Sequence, residues 1–321
     1  MHRLITRSLR PNNRDIYGLT YGTDSVPTGA ANALLVANAS YSLSYSNVSR
    51  DVLRGYIGGS EQLAGTRSVE LSFDVELSGS GDAGLTAPAW GPLLRGCGYA
   101  ETDSGAFFEY VPLSTAFPSL SIYYYDDGAI HKALGCRGTC EIKMGVGEKP
   151  VMSYKFTGID GGITAGVNPS LTLSAWKAPV VITDPNAGDI LLGATYATGA
   201  LTGGTAYPSR GLSLSLGNDV KYTPLLGGES IDIVNREVTG SIELDLTAAQ
   251  ETTFMTDINA NTLQSIGFSF GSVAGNKIIM HMPSVQRTSP KKAEYNGRRM
   301  IGMDLRMIPV SGNDELRIVV L

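Results

Sequence analysis

The stretches ELSFDVEL (residues 70–77) and SIELDL (residues 241–246) decide how this 321-residue sequence folds. In the first, Glu70, Ser72, Asp74 and Glu76 alternate with Leu71, Phe73, Val75 and Leu77. The second sets Ser241, Glu243 and Asp245 against Ile242, Leu244 and Leu246. Successive side chains of a strand leave by opposite faces, so each stretch is a strand with one face in a core and the other wet and acidic. A solvated outer face explains either strand alone. That both carry acids at matching positions points to two strands lining one aqueous space.

Working outward, the two strands close a longer internal match. Residues 43–77, LSYSNVSRDVLRGYIGGSEQLAGTRSVELSFDVEL, lie over residues 212–246, LSLSLGNDVKYTPLLGGESIDIVNREVTGSIELDL, at one gapless offset of 169. Ser44 falls on Ser213, Tyr45 on Leu214, and Gly58 and Gly59 on Gly227 and Gly228. Further on, KPVMSYKFTGI (149–159) resembles RRMIGMDLRMI (298–308) at an offset of 149, so the second copy is shorter by 20 residues in between. A fixed offset over this length is the mark of a duplicated unit. Each copy has room for one short helix, around residues 87–98 in the first and 247–261 in the second, where Thr247 is a suitable N-cap and Glu251 an early-turn acid. The expected fold is mainly β (α+β): two tandem antiparallel β-sandwich or barrel-forming domains, each with one flanking helix. The expected division is an N-terminal arm over 1–40, a first domain over 41–160, a Gly/Pro-rich linker over 161–209 holding one strand in ILLGATY (190–196), and a second domain over 210–321.

Composition agrees and narrows the function. There are 39 Gly and 15 Pro but only 17% charged residues, the profile of many short strands joined by tight turns. Net charge is −5 with no long basic block, which argues against a surface that grips nucleic acid by neutralising phosphates. Arg3, Arg7, Arg10 and Arg14 form a basic arm that faintly resembles a transit peptide. Cys97, Cys136 and Cys140 are an odd number in a sequence without a secretory signal pattern, which predicts a reducing compartment and no disulfide framework. No apolar stretch approaches the roughly 20 residues that cross a bilayer.

No arrangement of residues calls for catalysis. The histidines are scattered, and a positioned base beside a nucleophile is not apparent. His131 with the three cysteines has the atoms for a zinc site but not a standard spacing, and the second copy lacks cysteine, so buried free thiols are expected and no metal or cofactor. GVGEKP (145–150) lacks phosphate-loop spacing and reads as a turn. YYYDD (123–127) has the look of an aromatic platform, but a strand entering a turn at Asp126, Asp127 and Gly128 accounts for it.

The stretch YGTDSVPTGAANALLV (21–36), behind its basic arm, resembles the start of bacteriophage major tail tube proteins. The long loop between the first two strands and KAPVVITDP (177–185) match that family's plan as well. The resemblance implies a structural virion protein, and the duplication departs from the family's commonest pattern by giving this chain two tail-tube-type domains. Such wedges close into rings around a β-barrel channel, and the rings stack into the tail tube through which DNA passes without specific binding. With two units per chain, three chains rather than six would make a pseudo-hexameric ring. On this reading Glu70, Asp74, Glu76, Glu243 and Asp245 line the lumen, and Val52, Leu53, Tyr56 and Ile57 in the loop over 47–65 join rings. Arg3, Arg7, Arg10, Arg14, Tyr21 and Pro27 belong to an arm that orders on assembly. The implied partners are further copies of the chain and the tail terminator, distal tail and tape-measure proteins of a long non-contractile tail, made in the bacterial cytoplasm. Another ring component on the same fold, a contractile or secretion-type tube, and a carbohydrate-binding or adhesin-like β protein remain open.

Overall fold

The computed structural model describes residues 3–9, 21–83 and 86–321. The first half carries β1 (Arg3–Leu9), the short helix α1 (Gly29–Asn32), β2 (Ala37–Ser49), β3 (Gln62–Glu76), α2 (Gly91–Gly96), β4 (Tyr99–Asp103), β5 (Phe108–Pro112), β6 (Ser119–Asp126), β7 (Ala129–Gly145) and β8 (Val151–Ala165). The connection holds β9 (Ile190–Leu192), β10 (Thr195–Ala197), β11 (Ala200–Thr202) and β12 (Thr205–Tyr207). The second half has β13 (Ser209–Ser215), β14 (Asn218–Leu225), β15 (Gly228–Arg236), β16 (Thr239–Leu244), α3 (Ala248–Asn259), β17 (Leu263–Phe270), β18 (Ile278–Tyr295), β19 (Arg298–Met307) and β20 (Arg317–Val320). The chain is mainly β and its ladders are antiparallel.

The duplication reappears as two copies of one strand order. In the first half β2 pairs β3, β3 pairs β8 and β8 pairs β7. In the second, β13 pairs β16, β16 pairs β19 and β19 pairs β18. The 169 offset lays β2 on β13 and β3 on β16, the 149 offset lays β8 on β19, and the pairing adds β7 and β18 as the fourth equivalent pair. The blocks then join edge to edge through β13 and β7, from Gly211↔Gly145 to Ser215↔Glu141. One sheet therefore runs β18-β19-β16-β13-β7-β8-β3-β2.

This joining amends the picture of tandem domains. Phe73 and Phe156 of the first half share one buried cluster with Leu212, Ile242 and Phe268 of the second. The C-terminal β20 pairs with β18 and also with β5, so the halves interlock. An exposed strand edge offers unpaired N–H and C=O groups, and here each half supplies an edge for the other. The expected linker strand is broken: β9 and β10 are separated at Gly193, whose φ of +83° no strand residue adopts.

The alternation works as read. Leu71, Phe73, Val75 and Leu77 are buried, and the acids between them are partly exposed. α3 begins at Thr247, whose side chain accepts from the Gln250 N–H while the Gln250 side chain accepts from the Thr247 N–H, a reciprocal cap. α2 is shorter than expected, six residues with Pro92 in its first turn. Trp90 just before it is buried and donates through Nε1 to the Ser78 carbonyl at 2.8 Å. The three cysteines are free and buried, and burial pushes their thiols up, away from the reactive thiolate. The YYYDD segment is β6 entering a two-residue turn at Asp127 and Gly128, both with positive φ.

The N-terminal segments sit differently from an arm awaiting a neighbour. β1 adds to the edge of β6, with Leu4 and Ile5 buried and Arg7 opposite Ser121 in register. Arg3 donates to the Pro169 carbonyl. Asp24 accepts from the Tyr123 hydroxyl and from Lys132 at 3.0 Å; burial opposes its charge, but Tyr123, the Val26 N–H and Lys132 outweigh that and hold its carboxyl below the usual range. Pro27 is buried and Tyr21 partly so, both against their own chain. Apolar residues flanking the polar turn explain this: Ile5, Leu34 and Pro27 gain more from the nearest apolar surface than from extending into water. Arg10 and Arg14 lie outside the described residues.

Candidate functional site

Two features stand out on this scaffold: the polar face of the long sheet, and the edges and arm that bound it. On the polar face the odd-even phase of each strand projects hydroxyls and charges away from the core. β2 contributes Ser40, Ser42 and Ser44, β13 contributes Ser213 and Ser215, and the five acids come from β3, β16 and the residue just after β16. Each of the five has a partner. Glu70 faces Lys155 at 3.5 Å, Glu76 faces Lys149 at 2.6 Å, Glu243 faces Arg210 at 3.1 Å and Asp245 faces Arg298 at 2.6 Å. Asp74 accepts from the Asn38 amide at 2.7 Å. Lys143 beside Glu141 and Lys291 beside Asp304 continue the mixture. The face is thus polar with interleaved signs, where the sequence suggested a mainly acidic one. Exposed pairs of this kind hold the fold only weakly, so their main effect is on the field above the sheet.

At the two ends of the eight-strand run from β18 to β2 there are unpaired stretches of edge, although the sheet itself continues past β18 through β17, β9 and β12. β2 pairs only with β3, and residues 291–295 of β18 pair only with β19 among the described residues. Just before that segment β18 bulges between Thr288 and Lys291, with Ser289 at φ +50° and Pro290 lacking an N–H, so the open part of this edge is short. β2 runs on into the arm over 47–65. Every residue from Ser44 to Arg67 is exposed; Leu53 and Ile57 are fully so, Tyr56 is 70% exposed and Val52 is 43%.

The model of the family described as phage tail tube protein matches residues 19–313. The chain belongs to the phage tail tube protein family. No curated protein matches it. Tail tube proteins are structural components of the virion tail and assemble with themselves into a tube, and that is this chain's role.

Within this tail tube protein, the acids of both copies come together on one face of one sheet, while Val52, Leu53, Tyr56 and Ile57 project from the arm into solvent. Tyr21 has a part that the sequence did not reveal. Its hydroxyl donates to the Gly135 carbonyl at 3.0 Å and accepts from the Ile231 N–H at 2.7 Å, and the Arg137 guanidinium lies 5.0 Å from its ring centre. It thereby fastens the β14–β15 hairpin of the second half to β7 of the first, and burial chiefly raises its hydroxyl pKa. Sequence reasoning also missed Lys149, Arg210 and Arg298; their signal was present as cations on the strands and turns next to the acids. His131 packs against Tyr41, with ring centres 4.7 Å apart, not against the cysteines. Trp90 is buried, and Trp176 is half-buried and donates to the Ala33 carbonyl at 2.9 Å. Among the described residues no group of three or more His, Cys, Asp or Glu is placed to hold a metal ion, and no helix is long and apolar enough to cross a membrane.

Proposed function

We propose that three copies of this chain close one pseudo-hexameric ring and that such rings stack into the tube of a long non-contractile tail, conducting DNA during ejection. The observation that carries this reading is the head-to-tail strand order. β13 of the second copy pairs β7 of the first, and the edges left open among the described residues are β2, the equivalent of β13, and residues 291–295 of β18, the equivalent of β7. Each chain ends on the complement of its own beginning. A contact between unlike surfaces that repeats in this way generates a ring or an open helix, and a channel requires the ring. Eight strands from each of three chains give a twenty-four-stranded barrel, wide enough for an aqueous lumen. Hydroxyls and paired charges on the inner face offer DNA no uncompensated cations to bind. At its ends the tube meets terminator, distal tail and tape-measure proteins, and the chain is made in the bacterial cytoplasm.

The test copies the internal junction. Ser213↔Lys143 in the β13–β7 ladder corresponds, through the offsets and the β18–β19 register, to Ser44 of one chain against Ala293 of the next. The double variant Ser44→Cys, Ala293→Cys is expected to give, on oxidation, a covalent ladder that ends at three chains, with six similar wedges in averaged micrographs. A ladder ending at six overturns the three-chain ring.

A further inference from the structure

The segment that forms the arm exists twice in this chain, in two states. Its equivalent in the second half, residues 216–234, lies largely in the β14–β15 hairpin, and that hairpin lies across the junction on the surface of the first half. The Leu216 N–H donates to the Cys140 carbonyl at 2.9 Å, and the Asn218 amide donates to the carbonyls of Cys97 and Gly138 at 2.7 and 2.8 Å. Arg137 donates to the Ile231 carbonyl at 2.6 Å, and Ile233 and Phe117 come together over Gly98. The first-half segment has none of this cover. Gly217, with Val48 at its equivalent in the first copy, allows the turn into the hairpin, and what the hairpin then lies on is a neighbour: the second half has one at its β13 edge, and the first half has none at its β2 edge.

We propose that the arm over 47–65 is the lateral clasp of the ring, lying over the second half of the adjoining copy of this chain as the β14–β15 hairpin lies over the first half of its own. This rests on the ring reading above. The receiving surface is the outer side of β18 around Gln286 and Thr288 with the end of α3, since β17 stands to β18 as β6 stands to β7. Leu263, at the end of β17 that corresponds to the Phe117 end of β6, is 50% exposed opposite Gln286 and is open to be covered. Leu53, Tyr56 and Ile57 supply the apolar surface from the other side. Contiguous exposed apolar groups of this kind mark a protein contact, and the internal junction says which one.

The double variant Leu53→Asp, Ile57→Asp separates the possibilities. Both side chains are fully exposed in the single chain, so melting should match the parent. Sedimentation and negative-stain microscopy are expected to show single chains where the parent forms rings and tubes, with the ring fraction reduced at least tenfold. Three-chain rings that no longer stack would assign the arm to contacts between rings and overturn the proposal, as would unaltered tubes. The Ser44→Cys, Ala293→Cys ladder in the parent, run in parallel, shows separately whether the three-chain ring itself holds.

Discussion

On β18, His281 is held almost wholly out of water, its Nε2 3.2 Å from the Ala194 carbonyl and its ring centre 6.0 Å from that of Tyr196. Burial lowers its pKa; the Ala194 carbonyl opposes this, the nearby Arg317 adds to it, and Asp314 works weakly the other way. A base whose folded pKa is lowered takes up a proton more readily when unfolded, so its contribution to stability is intact above the unfolded value of about 6.5 and is lost as pH falls from there toward the folded value. The melting temperature should therefore fall as pH drops below about 6.5, and His281→Gln should flatten that slope. An unchanged slope in the variant would assign it to other groups. Nothing in the sequence around His281 announced this burial, because the strands that cover it come from residues 190–197 and 317–320. The alternating acids were legible, since a strand's phase is local; which cation each acid meets was not, since Glu243 meets Arg210 and Asp245 meets Arg298 only through pairing between strands.

Among the elements, α3 shows how much local chemistry can be read directly. Thr247 caps its start as the sequence suggested, Gln250 completes the cap, and replacing Thr247 with Ala should cost about 1 kcal/mol. Phe254 anchors its covered face, edge-on to Tyr207 at 5.2 Å and beneath the Arg287 guanidinium at 4.5 Å. Phe254→Ala removes both contacts and should destabilise the fold by about 3–5 kcal/mol, measured by denaturant unfolding. A loss below about 1 kcal/mol would show that the helix is not held through this ring. The helix expected over 87–98 was less legible: Gly98, with φ +79°, ends the turn early, and Pro88 belongs to the approach. The β14–β15 hairpin was not legible at all. Its strands alternate weakly, and what orders it is Gly217, with φ +60° and the Glu237 carbonyl so close that a side chain has no room. At the equivalent position the first copy has Val48, and there β2 runs on without the turn.

For the whole molecule, the gapless offset revealed the duplication, but it could not reveal that the copies join through β13 and β7, because a strand edge carries no side-chain signature of its partner. That junction puts the acids of both copies on one face, and the function of that face can be tested by charge. Asp74→Lys together with Glu243→Lys reverses one sign in each copy without touching the core phase of β3 or β16. Each lost pair is exposed and contributes little, so folding and ring assembly should survive, with a stability change within about 1 kcal/mol. In a closed ring the new lysines recur in every wedge, and the one that replaces Glu243 would stand beside Arg210 with no acid between them, giving the channel phosphate-binding sites that the parent lacks. DNA ejection from virions built with the variant should slow or stop, and raising the salt should partly restore it, because phosphate binding weakens steeply with ionic strength. Ejection at the parental rate in low salt would place this face on the outside of the tube. A variant that folds but forms no rings would place the acids in a contact between chains.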